Sequence, residues 1–279
     1  MQIWYSLCDI LSLEILQYNF MKNALLAVLL LAPLFGLTST MIVTGRMSFF
    51  SDALGHSAFT GIAIGSLFGI VAPTYAAVIF CVVFALLFCY VRSKSNQAAD
   101  TLIGVFSSTA VALGIFVATL GGESFTKYNK YLIGDILSVT PSQIGVLALV
   151  VVGVFLFFVF YANRLTLTSI YPQLASSRGI MTGFTQTIFT VAIAVTVTLA
   201  ISWVGLLILN SLLVLPAAAS RNMSKNLRSY AGLSVLFALI AGIFGLCISY
   251  YLGTSAGASI CLVLALLFVL SFVFRKVRG

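Results

Sequence analysis

Long apolar segments fill most of this chain, and short segments that hold most of the charges separate them. Because a bilayer core about 30 Å thick takes roughly 20 apolar residues as a helix, each segment has the length of one crossing. Backbone groups in lipid must be hydrogen-bonded inside the protein, so the segments are predicted to be helices rather than strands. The predicted spans lie near 24–44, 54–72, 73–91, 99–120, 143–162, 182–201, 203–219, 231–250 and 257–274.

The junctions at 72–73 and 201–203 are too short for a loop, so each pair is either a hairpin or includes a half-helix, which leaves eight or nine crossings. The composition agrees with a membrane protein, because the 279 residues are 61% hydrophobic and 7% charged, whereas soluble domains carry about 25% charged residues. We therefore predict an all-α integral membrane bundle, with one transmembrane domain over residues 21–279 and no soluble domain.

Residues 1–20 have a different pattern. Trp4, Leu7, Leu11 and Ile15 recur at helical spacing and share one face, which predicts an amphipathic helix lying at the membrane interface. The segment lacks the basic start of a cleaved signal peptide and contains Asp9 and Glu14.

Basic residues set the predicted orientation, since cytoplasmic loops carry an excess of Lys and Arg. If all nine segments cross, eleven basic residues fall on one side, which places the C-terminus in the cytoplasm. The net charge of +8 then faces anionic lipid or a cytoplasmic partner rather than nucleic acid. The eleven are Arg46, Arg92, Lys94, Arg164, Arg178, Arg221, Lys225, Arg228, Arg275, Lys276 and Arg278, against Lys22, Lys127 and Lys130 on the other side.

The second predicted span carries the chain's single histidine, His56, four residues after Asp52. Residues four apart share a helical face, so a carboxylate and an imidazole can point at one centre. Counted as helix from Arg46, His56 lies about 15 Å along the span, near the membrane midplane. Buried acids are costly in a membrane and usually face a cavity or a partner, and O and N donors suit zinc or manganese.

Two other interpretations of this pair stay open: a hydrogen bond that pins two helices together, and a proton relay. Two ligands also leave a zinc site incomplete, because zinc prefers four. A two-fold dimer would bring two Asp and two His to the axis, so we predict a homodimer, or a pair with a close paralogue.

Four ordered motifs resemble the zinc and manganese ABC-transporter permease family. The first runs from Arg46 to Ala58 and is followed by Gly61 and Gly65; the second is Tyr131–Pro141. The third runs from Val204 to Arg221, and the fourth is Ala256–Ser259 at the start of the last span. Together they cover residues 24–274 of the chain.

This resemblance implies a type II ABC-importer-like permease rather than an enzyme. It implies an extracellular metal-binding delivery protein, a second permease chain and separate cytoplasmic ABC ATPases, with Zn²⁺ or Mn²⁺ as the transported substrate and no resident cofactor. Asp52 and His56 match the family's intramembrane metal ligands. We expect zinc, with manganese or iron as alternatives. The absence of a GxxxxGK[ST] phosphate loop agrees with a separate ATPase.

The resemblance also implies an ATPase-coupling segment after Pro216 that carries Arg221, Lys225 and Arg228, although the same charges fit an ordinary cytoplasmic loop. Asn210 and Ser211 interrupt an apolar run and are expected to bond to neighbouring helices or to line the path. The alternative function is a proton-coupled secondary metal transporter, which would need no ATPase.

Overall fold

A computed structural model of the chain describes residues 4–6, 8, 14–69, 73–120 and 135–278, and no β-strand occurs among them. Their fold is all-helical, as predicted. The helices are α1 (Asn19–Thr44), α2 (Phe50–Leu67), α3 (Pro73–Lys94), α4 (Ala99–Leu120), α5 (Pro141–Ile170), α6 (Pro172–Ser177), α7 (Thr182–Val204), α8 (Leu206–Met223), α9 (Leu227–Leu252) and α10 (Ala256–Arg278). Single-turn 3₁₀ helices lie at Glu14–Gln17 and Ile136–Ser138.

Eight helices in the described part of the chain are long and apolar enough to cross a membrane: α1, α3, α4, α5, α7, α8, α9 and α10. The remaining long helix is α2, whose polar residues, including Asp52 and His56, lower its hydropathy. The predicted range of about eight to nine membrane helices is therefore confirmed.

The predicted bounds of the second span were wrong at both ends. The helix begins at Phe50 rather than at 54 and ends at Leu67 rather than at 72. It begins early because the chain turns at Gly45–Phe49 and the polar first turn of α2 is already helical. A search for apolar segments does not detect a helical first turn that contains Ser51 and Asp52.

The chain divides into two compact units, which we describe separately. One comprises residues 41–134 and 156–202, and the other comprises 1–40, 135–155 and 203–279. The prediction of one domain over residues 21–279 stays a prediction. Lys127 and Lys130, and the motif residues 131–134, lie outside the described residues.

In the first unit, α2 packs against α3 and α4 at glycines. A Cβ on Gly61 would lie 2.7 Å from Cα of Ala77, and one on Gly114 of α4 would lie 2.5 Å from the ring of Phe59. At the start of α2, the fully buried Phe50 lies 5.2 Å from the ring of Phe88. Small residues in membrane helices allow such close approach.

In the second unit, α8, α9 and α10 pack against one another, and α1 meets α9 at small polar residues. Ser234 Oγ donates to the Gly36 carbonyl at 2.6 Å and lies 2.9 Å from Ser39 Oγ. Gly205 separates α7 from α8 with φ +91°, a conformation that favours glycine.

The N-terminal segment contacts the start of α1. The Trp4 indole donates to the Lys22 carbonyl at 3.0 Å, and the Tyr5 hydroxyl donates to Asn23 Oδ1 at 2.8 Å. Ile15 lies in the 3₁₀ turn, whereas Leu7 and Leu11 lie outside the described residues. The interfacial position of this segment stays a prediction.

Candidate functional site

Asp52 and His56 are partly exposed residues in an otherwise buried stretch of α2. Every other residue from Phe50 to Ala63 is buried, whereas 45% of the Asp52 side chain and 37% of the His56 side chain are exposed. Burying a carboxylate and an imidazole without partners is unfavourable, and a core contact would have used apolar residues here. The exposed strip of α2 is therefore formed by its two chemically active side chains.

The two side chains face each other across one turn of α2. His56 Nε2 lies 3.5 Å from Asp52 Oδ2, which is the outer limit of a hydrogen bond. Asp52 stands in the first turn of the helix, where the N-terminal end of the helix dipole stabilises a negative charge. The pair thus presents one anionic oxygen group and one imidazole to the same space.

Contacts with two neighbouring helices show how deep the pair lies. Cys81 Sγ lies 3.6 Å from the carbonyl oxygen of Leu54, between Asp52 and His56 in sequence. At 1.5 Å per residue, Cys81 is about 12 Å from one end of α3 and about 20 Å from the other. Thr60 Oγ1, one turn beyond His56, donates to the carbonyl of Ala110 at 2.6 Å. Ala110 is at the middle of α4, about 16 Å from either end. The pair therefore lies near the middle of α3, and one to two turns from the level at which α2 meets the middle of α4.

The sequence prediction counted one continuous helix from Arg46 and placed His56 about 15 Å along it. That count was wrong, because the helix is interrupted after Arg46. Residues between Arg46 and Phe49 form a turn, so His56 lies only about 9 Å from the start of α2. The turn ends α1 as a Schellman motif: Arg46 N–H donates to Val43, and Met47 N–H donates to Ile42. Arg46 occupies its left-handed position with φ +54°, where glycine is usual.

The described part of the chain holds no cluster of three or more His, Cys, Asp or Glu side chains. Asp52 and His56 are thus the paired donors that one chain offers at this place. Their oxygen and nitrogen atoms fit a divalent ion such as Zn²⁺, which takes both ligand types. Solvent exposure on the same face leaves room for further ligands from outside the chain.

The other candidate path residues lie on α8. Ser211 is buried and its hydroxyl donates to the Leu207 carbonyl at 2.7 Å, so its hydrogen bond stays within the helix. Asn210 is half-buried. Asp135 caps the Ile136–Ser138 turn, because its Oδ1 accepts from the Leu137 N–H at 3.0 Å.

The predicted coupling residues surround the α8–α9 connection. Pro216 is buried within α8, whereas Arg221, Lys225 and Arg228 are exposed. The connection is short and ordered, because Asn226 Oδ1 accepts from the Ser229 N–H at 2.8 Å and starts α9. The three basic side chains are consequently available to a partner.

Sequence reasoning missed two functional candidates. It treated Arg92 only as a cytoplasmic charge, but its guanidinium reaches the turn before α2. It also left α6 without a role, although Tyr171 and Leu174 at this short helix are 62% and 44% exposed. Pro172 at the first helical position was the available signal for α6.

Comparisons with known proteins agree over nearly the whole chain. A family model described as the ABC 3 transport family matches residues 17–275. The high-affinity zinc uptake system membrane protein ZnuB of Haemophilus influenzae is 30% identical over 259 residues, covering 93% of this chain and 99% of ZnuB. The manganese import system permease protein ScaB of Streptococcus gordonii is 29% identical over 261 residues, covering 91% of each chain.

A solved structure is similar as well. PsaBC from Streptococcus pneumoniae in complex with Fab includes a chain with a TM-score of 0.77 and 28% sequence identity. The match covers 91% of this chain and 91% of that chain. The fold is thus shared with that solved structure.

Proposed function

This chain belongs to the ABC 3 transport family, and from that membership we propose that it is the membrane permease of an ATP-driven importer of divalent metal ions, with zinc as the expected substrate. It is a transport subunit rather than an enzyme. ATP hydrolysis belongs to a separate chain.

The selective exposure of Asp52 and His56 carries this proposal. A hydrogen bond that only pins helices would be buried between them, whereas this pair is 45% and 37% exposed on a helix that is otherwise buried to Ala63. The pair lies beside the middle of α3, where an ion in transit would need replacement of its hydration shell. A carboxylate and an imidazole provide that replacement.

We propose that two permease chains share the metal ion. A two-fold axis at the exposed strip of α2 would supply two carboxylates and two imidazoles, which is a four-ligand set for zinc. In alternating access, these ligands hold the ion between an outer and an inner gate. A paralogous chain with the same pair would complete the site equally well.

The proposed partners occupy opposite sides of the prokaryotic cytoplasmic membrane. A metal-binding delivery protein docks outside, and ATPase subunits dock at the cytoplasmic side, where the charge rule also places the C-terminus. Arg221, Lys225 and Arg228 form one proposed ATPase contact. The exposed apolar residues Tyr171 and Leu174 at α6 form another, because a partner would cover them.

Uptake rates of Zn²⁺ and Mn²⁺, measured on the same preparation, distinguish the two candidate substrates. The relatives include a zinc system and a manganese system at 30% and 29% identity. Mixed oxygen and nitrogen donors fit zinc well, whereas a manganese site is richer in oxygen ligands. We therefore expect faster uptake of Zn²⁺ than of Mn²⁺.

The test is metal uptake into proteoliposomes that contain the permease, its ATPase and its delivery protein. Wild-type vesicles should take up Zn²⁺ only with ATP, and Asp52→Ala and His56→Ala should abolish uptake without changing assembly or basal ATP hydrolysis. Asp135→Asn is the matched control, since an asparagine oxygen still accepts from the Leu137 N–H.

Three results would contradict the proposal. Normal uptake by both single variants would remove Asp52 and His56 from the path. Uptake by vesicles that lack the ATPase, dissipated by an uncoupler, would instead show a proton-coupled transporter. Faster Mn²⁺ than Zn²⁺ uptake would reject zinc alone and retain the importer.

A further inference from the structure

Arg92, near the end of α3, contacts both the turn before α2 and helix α7. Its Nη2 donates to the Gly45 carbonyl at 3.3 Å, and its Nη1 lies 3.0 Å from Met47 Sδ. Gly45 directly follows Thr44, the last residue of α1, where carbonyls have no partner inside the helix. A cation is also favourable at the negative end of a helix dipole. Arg92 therefore holds the turn that leads into α2.

The same guanidinium contacts α7. The side-chain amide of Gln186 lies 2.8 Å from Nη1 and 3.0 Å from Nη2 of Arg92. A guanidinium has only donors, so we assign the amide oxygen to the side facing Arg92, where it accepts from both nitrogens. Arg92 thus links the first turns of α7 to the Gly45–Met47 turn.

The turn in question sets the position of the ligand pair. Met47 is 1% exposed and its carbonyl accepts from the Phe50 N–H at 3.0 Å, where α2 begins. Phe50 is fully buried against the rings of Phe84 and Phe88. Asp52 follows two residues later. A movement of the turn is therefore a movement of the first ligand.

The other end of this link lies beside α6. Gln186 is on the second turn of α7, and α7 follows α6 after Gly179, whose φ is +74°. The Ile180 N–H donates back to the Ala175 carbonyl at 3.0 Å, so α6 and the start of α7 are joined by a hydrogen-bonded turn. A force applied to exposed α6 would reach Gln186 directly.

The contact between Arg92 and Gln186 borders open space. A cavity of about 580 Å³ lies between α3 and α7 and is lined by Arg92, Gln186, Cys89 and Thr182 among others. The cavity leaves this end of α3 and the start of α7 without close packing, so the two ends can shift relative to each other. Arg92 and Gln186 are therefore a polar bridge across a gap.

We propose that Arg92 and Gln186 form a coupling link that transmits movement of α6 and α7 to the Asp52–His56 helix. Arg92 is a positioning residue in this proposal, because it touches the turn before α2 and not the metal ion. The proposal rests on the function proposed above, and it adds the route by which an ATPase at α6 moves the ligands.

The test uses the complete transporter in proteoliposomes and measures Zn²⁺ or Mn²⁺ taken up per ATP hydrolysed. Gln186→Leu removes the bridge and leaves Arg92 on its turn. It should lower the uptake-to-ATP ratio by about tenfold, within the usual range of coupling between sites. Gln186→Glu accepts from the same nitrogens and should retain the ratio. Phe184→Leu, at an exposed position of α7 that does not line the cavity, is the matched control.

A swapped pair separates coupling from stability. Arg92→Gln alone should lose the ratio, and Arg92→Gln with Gln186→Arg should recover part of it, since the donor and acceptor are exchanged across the gap. The amount of ATPase that copurifies with the permease should stay constant. A loss of assembly that parallels the loss of uptake would overturn the proposal in favour of a structural role.

The outcomes distinguish the two proposals. If wild type shows ATP-driven uptake and Gln186→Leu keeps the wild-type ratio, the coupling link is wrong and the importer stands. If wild type takes up neither metal with ATP, both proposals are overturned.

Discussion

The close approach of α2 to α3 gives a quantitative prediction for Gly61→Ala. The added Cβ would lie 2.7 Å from Ala77 Cα, 2.8 Å from Phe80 Cβ and 3.0 Å from the Ala76 carbonyl oxygen. Ordinary van der Waals contacts begin at 3.4 Å. Since backbone atoms are among these neighbours, α2 must move away from α3 by about 0.7 Å, a strain of the overpacking kind that costs about 1–3 kcal/mol.

A shift of this size matters for the two proposed metal ligands, Asp52 and His56, on the same helix. His56 lies five residues before Gly61, and metal–ligand distances tolerate only about 0.2 Å. Gly61→Ala should therefore reduce Zn²⁺ uptake by at least about tenfold, as small displacements of reacting groups do in enzymes. The assay is the initial uptake rate in proteoliposomes, divided by the amount of assembled transporter.

Gly104→Ala on α4 is the control, because no atom lies within 4 Å of its added Cβ. It should leave uptake unchanged and stabilise the helix by about 1 kcal/mol, since alanine has the higher helix propensity. Wild-type uptake by Gly61→Ala, at normal abundance, would refute the claim that this close contact sets the position of the ligands.

Three further outcomes are expected. Uptake at constant ATP should fall as the pH drops from 8 to 5, because His56 must be deprotonated to bind metal; a flat profile in this range would count against an imidazole ligand. Arg46→Gly should raise the midpoint temperature of unfolding, because the left-handed conformation costs arginine about 1 kcal/mol and costs glycine nothing. A lower midpoint would show that the arginine side chain stabilises the turn. Gly205→Ala should lower the midpoint temperature of unfolding, because alanine at φ +91° is strained by a comparable free energy. An unchanged midpoint would mean that the α7–α8 junction relaxes.

The membrane helices were predictable because hydrophobicity and length define them. The bounds of α2 were not, for a local reason. A Schellman turn is usually recognised in a sequence by a glycine in the left-handed position. Here Arg46 occupies that position, and the glycine, Gly45, lies one residue earlier. The sequence therefore gave no signal that the helix had been interrupted between Arg46 and Phe50.

The four-residue spacing predicted that Asp52 and His56 face each other on one helix, and the 3.5 Å distance between His56 Nε2 and Asp52 Oδ2 agrees with it; their role as metal ligands stays a prediction. The exposure of the pair was not predictable, because that depends on which helices cover α2. The link from Arg92 to Gln186 joins residues far apart in sequence, and an arginine at the end of a membrane helix already has a sufficient explanation in the predicted membrane orientation. Long-range polar contacts of this kind need coordinates.

We propose that two permease chains share one metal ion through Asp52 and His56. The most direct measurement is the metal content of the purified complex, by inductively coupled plasma mass spectrometry, after loading with Zn²⁺ by the delivery protein and removal of that protein. We predict one tightly bound ion per pair of permease chains, lost in Asp52→Ala and in His56→Ala. An ion retained by the double variant, or tight binding by a complex with a single permease chain, would contradict the account.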